Sequence, residues 1–165
     1  ISMGGLPAYM TNRQAPLRST DPENFADSCA WLSAINEIIA RHQVTDGGGS
    51  VLMYQVENEL IAEDEERSAF LRGLADHVRS TGITVPMFHN DYGLGGRFKD
   101  VEAHHLDFYA YDHYPLGFNA GGGRSPIGDS EQAYREISPD TPQFITESQG
   151  GAFTPWGAAF TSEMN

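Results

Sequence analysis

The chain has 165 residues, of which 39% are hydrophobic and 11% aromatic, so it can bury one core but is short for a large barrel. Its formal charge of −13 argues against nucleic acid or an anionic membrane as a partner, and no apolar run is long enough to cross a bilayer. The single Cys29 excludes a disulfide within the chain and is expected to be a buried apolar thiol.

The first third of the chain is predicted to be loop followed by one long helix. Residues 4–9 are expected to form a loop that enters a short helical turn, and residues 12–20 a polar loop. Asp21 followed by Pro22 is typical of a helix start, because the carboxylate caps free N–H groups and proline fits the first turn. Apolar residues then recur at helical spacing to about Val44. They are Phe25, Cys29, Leu32, Ile35, Ile38 and Ile39.

A strand is predicted next, over residues 50–56, where apolar and aromatic residues follow one another almost without interruption. Such a run is typical of a strand buried on both faces of a parallel sheet. It ends at Glu57, Asn58 and Glu59, and alternation puts the two glutamates on one face and Asn58 on the other, unless a bulge intervenes. Carboxylates at the C-terminal end of a parallel strand indicate a functional site, because the active sites of barrel folds lie at that end.

An acidic stretch, residues 63–66, opens the second long helix, whose apolar stripe extends to Gly82. This cluster is either a cation site or a solvated helix start, and the helix dipole favours the second interpretation. The stripe consists of Phe70, Leu71, Leu74, His77 and Val78.

Three more strands are predicted, over residues 83–88, 106–111 and 143–147, with a short helix over residues 130–137 before the last. Polar residues close all three: His89, Asn90 and Asp91, then Asp112 and His113, then Glu147. Four strands that alternate with crossovers predict an α/β fold, half of a (β/α)8 barrel. Right-handed crossovers place all four strand ends on one rim.

Two carboxylates on one rim, Glu59 and Glu147, suit glycoside hydrolysis. One carboxyl must be protonated to give its proton to the leaving oxygen, and the other must be ionised to attack or to activate water. A separation of about 5 Å would indicate a retaining enzyme. Like charge raises the pKa of one member of such a pair. Acidic strand ends also bind divalent metals, so a metal-dependent hydrolase is an alternative.

Five motifs narrow this choice, and together they resemble the family 35 glycoside hydrolases, the β-galactosidases built on a TIM barrel. The resemblance covers nearly the whole chain. The motifs are, in order, GGLPAY at 4–9, QVENE at 55–59, HND at 89–91, YDHYPLGF at 111–118 and ESQGGAFTPW at 147–156.

The resemblance implies a role for four residues in the hydrolysis of terminal β-galactosyl groups. Glu59 would be the acid/base at barrel strand four, and Asn58 would hydrogen-bond the sugar 2-hydroxyl. Glu147 would be the nucleophile at strand seven, and the hydroxyl of Tyr114 would contact it. The family's mechanism is retaining and needs no metal or other cofactor.

The resemblance also implies that the chain is one central fragment, residues 1–165, with barrel strands four to seven. Leu60 and Ser148 differ from the aromatic or bulky residues that are usual in the family at these positions. The side chains that bind the galactose hydroxyls are expected before Ile1. The expected partners are a β-galactoside and the missing parts of the barrel. The compartment is left open, and an extracellular location is compatible with the sequence.

Several alternatives stay open at this point. The chain could belong to a carbohydrate-binding barrel without activity, although the presence of both Glu59 and Glu147 favours an enzyme. Glu57 is expected to be structural, held by a buried arginine or a hydroxyl. Other side chains have two interpretations each: wall packing or sugar contact for Tyr109 and Tyr111, core or sugar platform for Trp156, and packing or metal binding for His89, His104, His105 and His113.

Overall fold

A computed structural model describes residues 5–61, 64–115, 126–149 and 157, in which helices separate the parallel strands, except that a helix-free segment joins the second strand to the third. The helices are α1 (Ala8–Thr11), α2 (Pro22–Ile39), α3 (Glu65–Ser80) and α4 (Glu131–Ile137), and the strands are β1 (Tyr54–Asn58), β2 (Met87–Asp91), β3 (Ala110–His113) and β4 (Ile145–Ser148). Short 3-10 turns cover Ala40–His42, Val44–Asp46 and Ile127–Ser130. None of the helices in these ranges is long and apolar enough to cross a membrane.

The four strands form one parallel sheet in the order β1-β2-β3-β4. Chain order and spatial order coincide, as right-handed crossovers require of a barrel wall. The sheet curls into a half-barrel, which confirms the predicted partial (β/α)8 fold. All four C-terminal ends therefore lie on one rim.

Every strand begins later than the sequence predicts. The second strand was expected over residues 83–88 but pairs over Met87–Asp91, and the third was expected over 106–111 but pairs over Ala110–His113. The apolar residues before β2 are buried without joining the ladder: Ile83 is 1% exposed and Val85 is fully buried. Pairing starts only at the last apolar residues, such as Met87 and Phe88, and continues into the polar residues at the rim. The early part of each apolar run therefore leads the chain into the sheet and does not pair.

The expectation that the first strand is buried on both faces is wrong. Leu52 and Met53 lie outside β1 and are 61% and 43% exposed. Within β1, burial alternates: Tyr54 and Val56 are buried and Gln55 is exposed. The buried side chains face the helices, whereas Gln55 faces the open inner side of the curled sheet.

Helix α2 begins where the sequence predicts and ends earlier. The Asp21 carboxylate accepts a hydrogen bond from the N–H of Asn24 (3.0 Å), and Pro22 occupies the first turn. The predicted end near Val44 is wrong, because the α-helix stops at Ile39 and 3-10 turns continue to Asp46. The buried Gln43 links this segment to the entrance of β2, since its Oε1 accepts from the N–H groups of Thr84 and Val85 at 2.6 and 3.1 Å.

The acidic stretch forms a helix start in the part that the structure describes. The Asp64 carboxylate accepts from the N–H of Arg67 (2.8 Å) and so caps α3, and Glu65 and Glu66 lie in the first turn. Glu66 also accepts from the N–H and the hydroxyl of Thr20. Acidic residues at this end suit the helix dipole.

Helices α2 and α3 pack on the outer face of β1 and β2. Phe25 and Phe70 meet edge to face with ring centroids 6.2 Å apart, and the half-buried Cys29 lies on the same helix as Phe25. Burial raises the pKa of the Cys29 thiol. A second cluster, formed by Tyr109, Tyr111 and Tyr134, packs α4 onto β3 and β4, so the wall-packing interpretation of the two strand tyrosines is confirmed. These two clusters fix the outer wall and leave the inner face free for the site.

Candidate active site

A bulge in β1 decides which face of the sheet each rim residue of this strand occupies. The pairing with β2 shifts between Gln55 and Glu57, so Val56 is the extra residue of a β-bulge. Val56 and Glu57 consequently line one cleft of about 590 Å3 on the helix side, beside Phe70 of α3. The bulge therefore puts Glu57 on the helix side and Asn58 on the inner face with Gln55, the reverse of what unbroken alternation from Gln55 would give.

Asn58, in contrast, lies at the centre of an amide network on the inner face. Its Oδ1 accepts from Gln55 Nε2 and from Asn90 Nδ2, both at 2.9 Å. Asn90 Nδ2 also lies 3.3 Å from Glu147 Oε2, and Asn90 Oδ1 accepts from the Thr146 hydroxyl at 2.6 Å. Asn90 therefore connects β1 to β4 and fixes the predicted sugar-binding Asn58 relative to Glu147.

A second bulge, in β4, determines which face of the sheet Glu147 occupies. The pairing of β3 with β4 shifts so that Tyr111 is opposite Ile145 and Asp112 is opposite Glu147. Thr146 is the extra residue, and both Thr146 and Glu147 face Asn90. The Tyr114 hydroxyl donates a hydrogen bond to Glu147 Oε1. That contact holds the carboxylate in one orientation, whereas the roles of both residues stay a prediction.

Glu59 follows β1 directly and adopts a left-handed backbone with φ +49°. Non-glycine residues rarely adopt this conformation. Its N–H donates to the Asn90 carbonyl at 2.8 Å. Partial burial, the negative charge of Asp112 and that of Glu147 raise the pKa of Glu59, and Arg18 opposes them. A carboxyl with a raised pKa suits a general acid.

Asp112 is a rim residue to which sequence reasoning gave no role. It is 5% exposed, and its Oδ1 accepts from the N–H of Gly93 in the loop after β2. Its charge acts on Glu59, so this carboxylate belongs to the electrostatic environment of the site. The only sequence signal was its place at a predicted strand end.

Glu57 has an arginine partner, as the sequence analysis expected, but that arginine is not buried. Arg18 Nε and Nη2 donate to the two carboxylate oxygens, both at 2.7 Å. Burial raises the pKa of Glu57, and Arg18 opposes that shift. The side chain of Arg18 is 41% exposed and comes from the loop predicted only as polar, so no sequence signal marked it.

The polar rim residues on the outer face have structural contacts: they pack against neighbouring strands and anchor a loop. His89 Nδ1 lies 3.1 Å from the Glu57 carbonyl, and burial lowers the pKa of this histidine to about 4, so its ring is neutral at pH 7. Asp91 accepts from the Tyr109 hydroxyl (2.8 Å) and the N–H of Arg97 (2.9 Å), which anchors the glycine-rich loop after β2. Burial raises the pKa of Asp91.

Two further histidines, His104 and His105, have neighbours that are not ligand sets. His104 contacts the Asp100 carbonyl and the Ser68 hydroxyl, and His105 pairs with Asp76 at 2.7 Å. Within the described ranges, no three His, Cys, Asp or Glu side chains are grouped to hold a metal ion. Trp156 and most of the motif after Glu147 lie outside the described residues, as do residues 116–118 of the fourth motif.

Comparisons with known proteins place the sequence in one group. The family described as Glycosyl hydrolases family 35 matches residues 1–165. A probable beta-galactosidase A of Emericella nidulans is 34% identical over 166 residues, 94% of this chain. Beta-galactosidase A of a Penicillium species is 32% identical over 95% of the chain, and the beta-galactosidase of Aspergillus niger is 31% identical over 94%. The chain spans 16% of the length of each of these relatives.

Proposed function

The chain belongs to glycosyl hydrolase family 35, and from this membership we propose that it supplies both catalytic carboxylates of a retaining β-galactosidase. The observation that supports the proposal most directly is the position of Asn90, whose amide nitrogen donates to Asn58, the residue before Glu59, and lies 3.3 Å from Glu147 Oε2. Asn90 thereby links residues from the two edge strands of the described sheet. The sugar is proposed to be galactose because the relatives are named beta-galactosidases.

In the first half of the proposed reaction, Glu147 attacks the anomeric carbon while Glu59 donates its proton to the departing glycosidic oxygen. The result is an ester between the sugar and Glu147. The raised pKa of Glu59 supports the donor role, because this carboxyl keeps its proton to a higher pH than an ordinary glutamic acid. Tyr114 holds the attacking carboxylate through its hydroxyl.

In the second half, Glu59 is a carboxylate and takes a proton from water, which attacks the anomeric carbon and frees Glu147. Two displacements retain the configuration of the sugar. Asn58 is proposed to bind the sugar 2-hydroxyl, because Gln55 and Asn90 fix its amide beside Glu147. Retention further predicts that the two carboxyl groups lie about 5 Å apart.

The test uses the full-length protein that contains this chain, assayed on an alkyl and an activated aryl β-galactoside. We expect Glu147→Gln to lose turnover of both substrates, since no nucleophile remains. Glu59→Gln should lose about 10²- to 10⁴-fold on the alkyl substrate and much less on the aryl one, whose leaving group needs little acid assistance. Proton NMR of the first product should show the β-anomer.

Glu37→Gln is the matched control, because Glu37 is 80% exposed on α2, the helix before β1. It should leave both rates unchanged. An α-anomer as the first product, or equal losses on the two substrates for Glu59→Gln, would contradict the assignment.

A further inference from the structure

Arg18 reaches from the loop between α1 and α2 to the C-terminal end of β1. Its guanidinium makes two parallel bonds to Glu57, and Nη2 also donates to the Asn58 carbonyl oxygen at 2.6 Å. All three bonds join segments about 40 residues apart in sequence. They meet at the residues immediately before the proposed acid/base.

The peptide group between Asn58 and Glu59 is thereby held at both ends. Arg18 donates a hydrogen bond to the Asn58 carbonyl oxygen, and the Glu59 N–H donates to the Asn90 carbonyl oxygen on β2 at 2.8 Å. A peptide unit is planar, so two bonds to fixed partners set its orientation. Glu59, which follows this peptide group, has a left-handed conformation with φ +49°. Such a conformation persists only where the surroundings hold it.

The ion pair with Glu57 makes Arg18 a fixed partner and not a mobile surface group. The side chain of Glu57 is only 11% exposed, and a carboxylate so far removed from water needs its cation. The planar fork matches both oxygens, which a lysine cannot do. Arg18 itself has φ +53°, a second left-handed residue in this network.

We propose that Arg18 is a positioning residue for Glu59, acting through the Asn58–Glu59 peptide group. This inference rests on the proposed function for the role of Glu59. Arg18 touches no reacting atom, because its bonds go to Glu57 and the backbone. Its loss should misplace the general acid, and a displacement of about 1 Å can cost about 10²-fold in rate.

The chain offers a matched control in Arg13. It belongs to the same loop, but its ion pair is with Asp27 of α2 at 2.6 Å, and it also bonds Asn24. Arg13→Gln therefore weakens the loop's attachment to α2 and leaves its attachment to β1 in place. Arg18→Gln removes the attachment to β1, and Arg18→Lys keeps the charge without the fork.

The first measurement is hydrogen exchange in the full-length protein, read at the Glu59 amide. We expect faster exchange in Arg18→Gln and Arg18→Lys than in the wild type, and unchanged exchange in Arg13→Gln. Unchanged exchange in both Arg18 variants would overturn the inference. Should Arg18→Gln fail to fold, Arg18→Lys carries the test alone, because its positive charge still neutralises Glu57.

The second measurement compares kcat/KM on the alkyl and the aryl β-galactoside. Misplacement of the general acid predicts about 10²-fold loss on the alkyl substrate for Arg18→Gln, less than tenfold on the aryl one, and an intermediate effect for Arg18→Lys. Equal losses on both substrates would show a merely structural role and overturn the inference. A wild-type protein that hydrolyses neither substrate would reject the proposed function instead, and hydrogen exchange would still decide what Arg18 holds.

Discussion

At the scale of single residues, two bulges determine which face of the sheet Glu57 and Glu147 occupy. The extra residue Val56 turns Glu57 to the helix side, and the extra residue Thr146 lets Glu147 face Asn90. Bulges commonly re-aim side chains beside active sites. Without them, simple alternation would have placed Glu57 on the inner face, Asn58 on the helix side, and Glu147 on the face away from Asn90.

The residue-scale prediction concerns the pH dependence of the proposed general acid. Glu59 must be protonated to act, so kcat/KM falls as pH rises through its pKa. The charge of Asp112 raises that pKa, and Asp112→Asn removes the charge while keeping the shape. We expect the basic limb of the pH profile to move to lower pH, measured on an alkyl β-galactoside with the full-length protein.

Asp91→Asn is the control for this shift. Asp91 also ends a strand and is also buried, but its charge is not among those that shift the pKa of Glu59. Its basic limb should stay in place. A limb that moves to higher pH in Asp112→Asn, or equally in both variants, would contradict the electrostatic account.

At the scale of elements, the glycine run before β1 fixes how the chain enters the sheet. Gln43 and Val51 form a parallel bridge, in which the N–H of Val51 donates to the His42 carbonyl at 2.9 Å. Gly49 lies against this bridge. A Cβ at Gly49 would come within 1.8 Å of the His42 carbonyl carbon and oxygen, whereas one at Gly48 would meet nothing within 4 Å.

The element-scale prediction follows from that contrast. Gly49→Ala forces two backbone segments apart and should destabilise the fold by about 3 kcal/mol. Gly48→Ala should change stability by less than about 1 kcal/mol, since its added methyl group meets open space. Thermal unfolding midpoints of the full-length protein and of its two variants measure the difference in stability. Similar midpoints for both would show that the bridge is not rigid.

At the scale of the whole molecule, the described sheet has two edges. β1 pairs only with β2, and β4 only with β3, among the residues that the structure covers. Unpaired parallel edges recruit other strands. Leu52 and Met53 lie exposed where the chain enters β1, which adds an apolar contact surface to that edge.

The whole-molecule prediction is that residues 1–165, expressed alone, associate through these edges and hydrolyse no β-galactoside. Light scattering after gel filtration should give a mass above the 18.1 kDa of one chain. Leu52→Lys places a charge at the β1 edge and should reduce the association, because charged edge residues oppose strand pairing. An active 18.1 kDa monomer would refute the prediction.

The sequence by itself determined the elements and their order. Asp21 with Pro22 and the apolar stripes located the two long helices, since caps and 3.6-residue periodicity are local signals. Polar residues after four apolar runs indicated one rim, because parallel strands with right-handed crossovers end on the same side. The family motifs around Glu59 and Glu147 were also readable along the chain.

Only the tertiary structure decided which face each rim residue takes and what it contacts. The bulges at Val56 and Thr146 arise from pairing between strands, and no local sequence pattern predicts them. The bonds from Arg18 to the end of β1 and the charge of Asp112 beside Glu59 join segments distant in sequence. Electrostatic and hydrogen-bonding partners depend on distance in space, so the fold had to bring them together before they could be recognised.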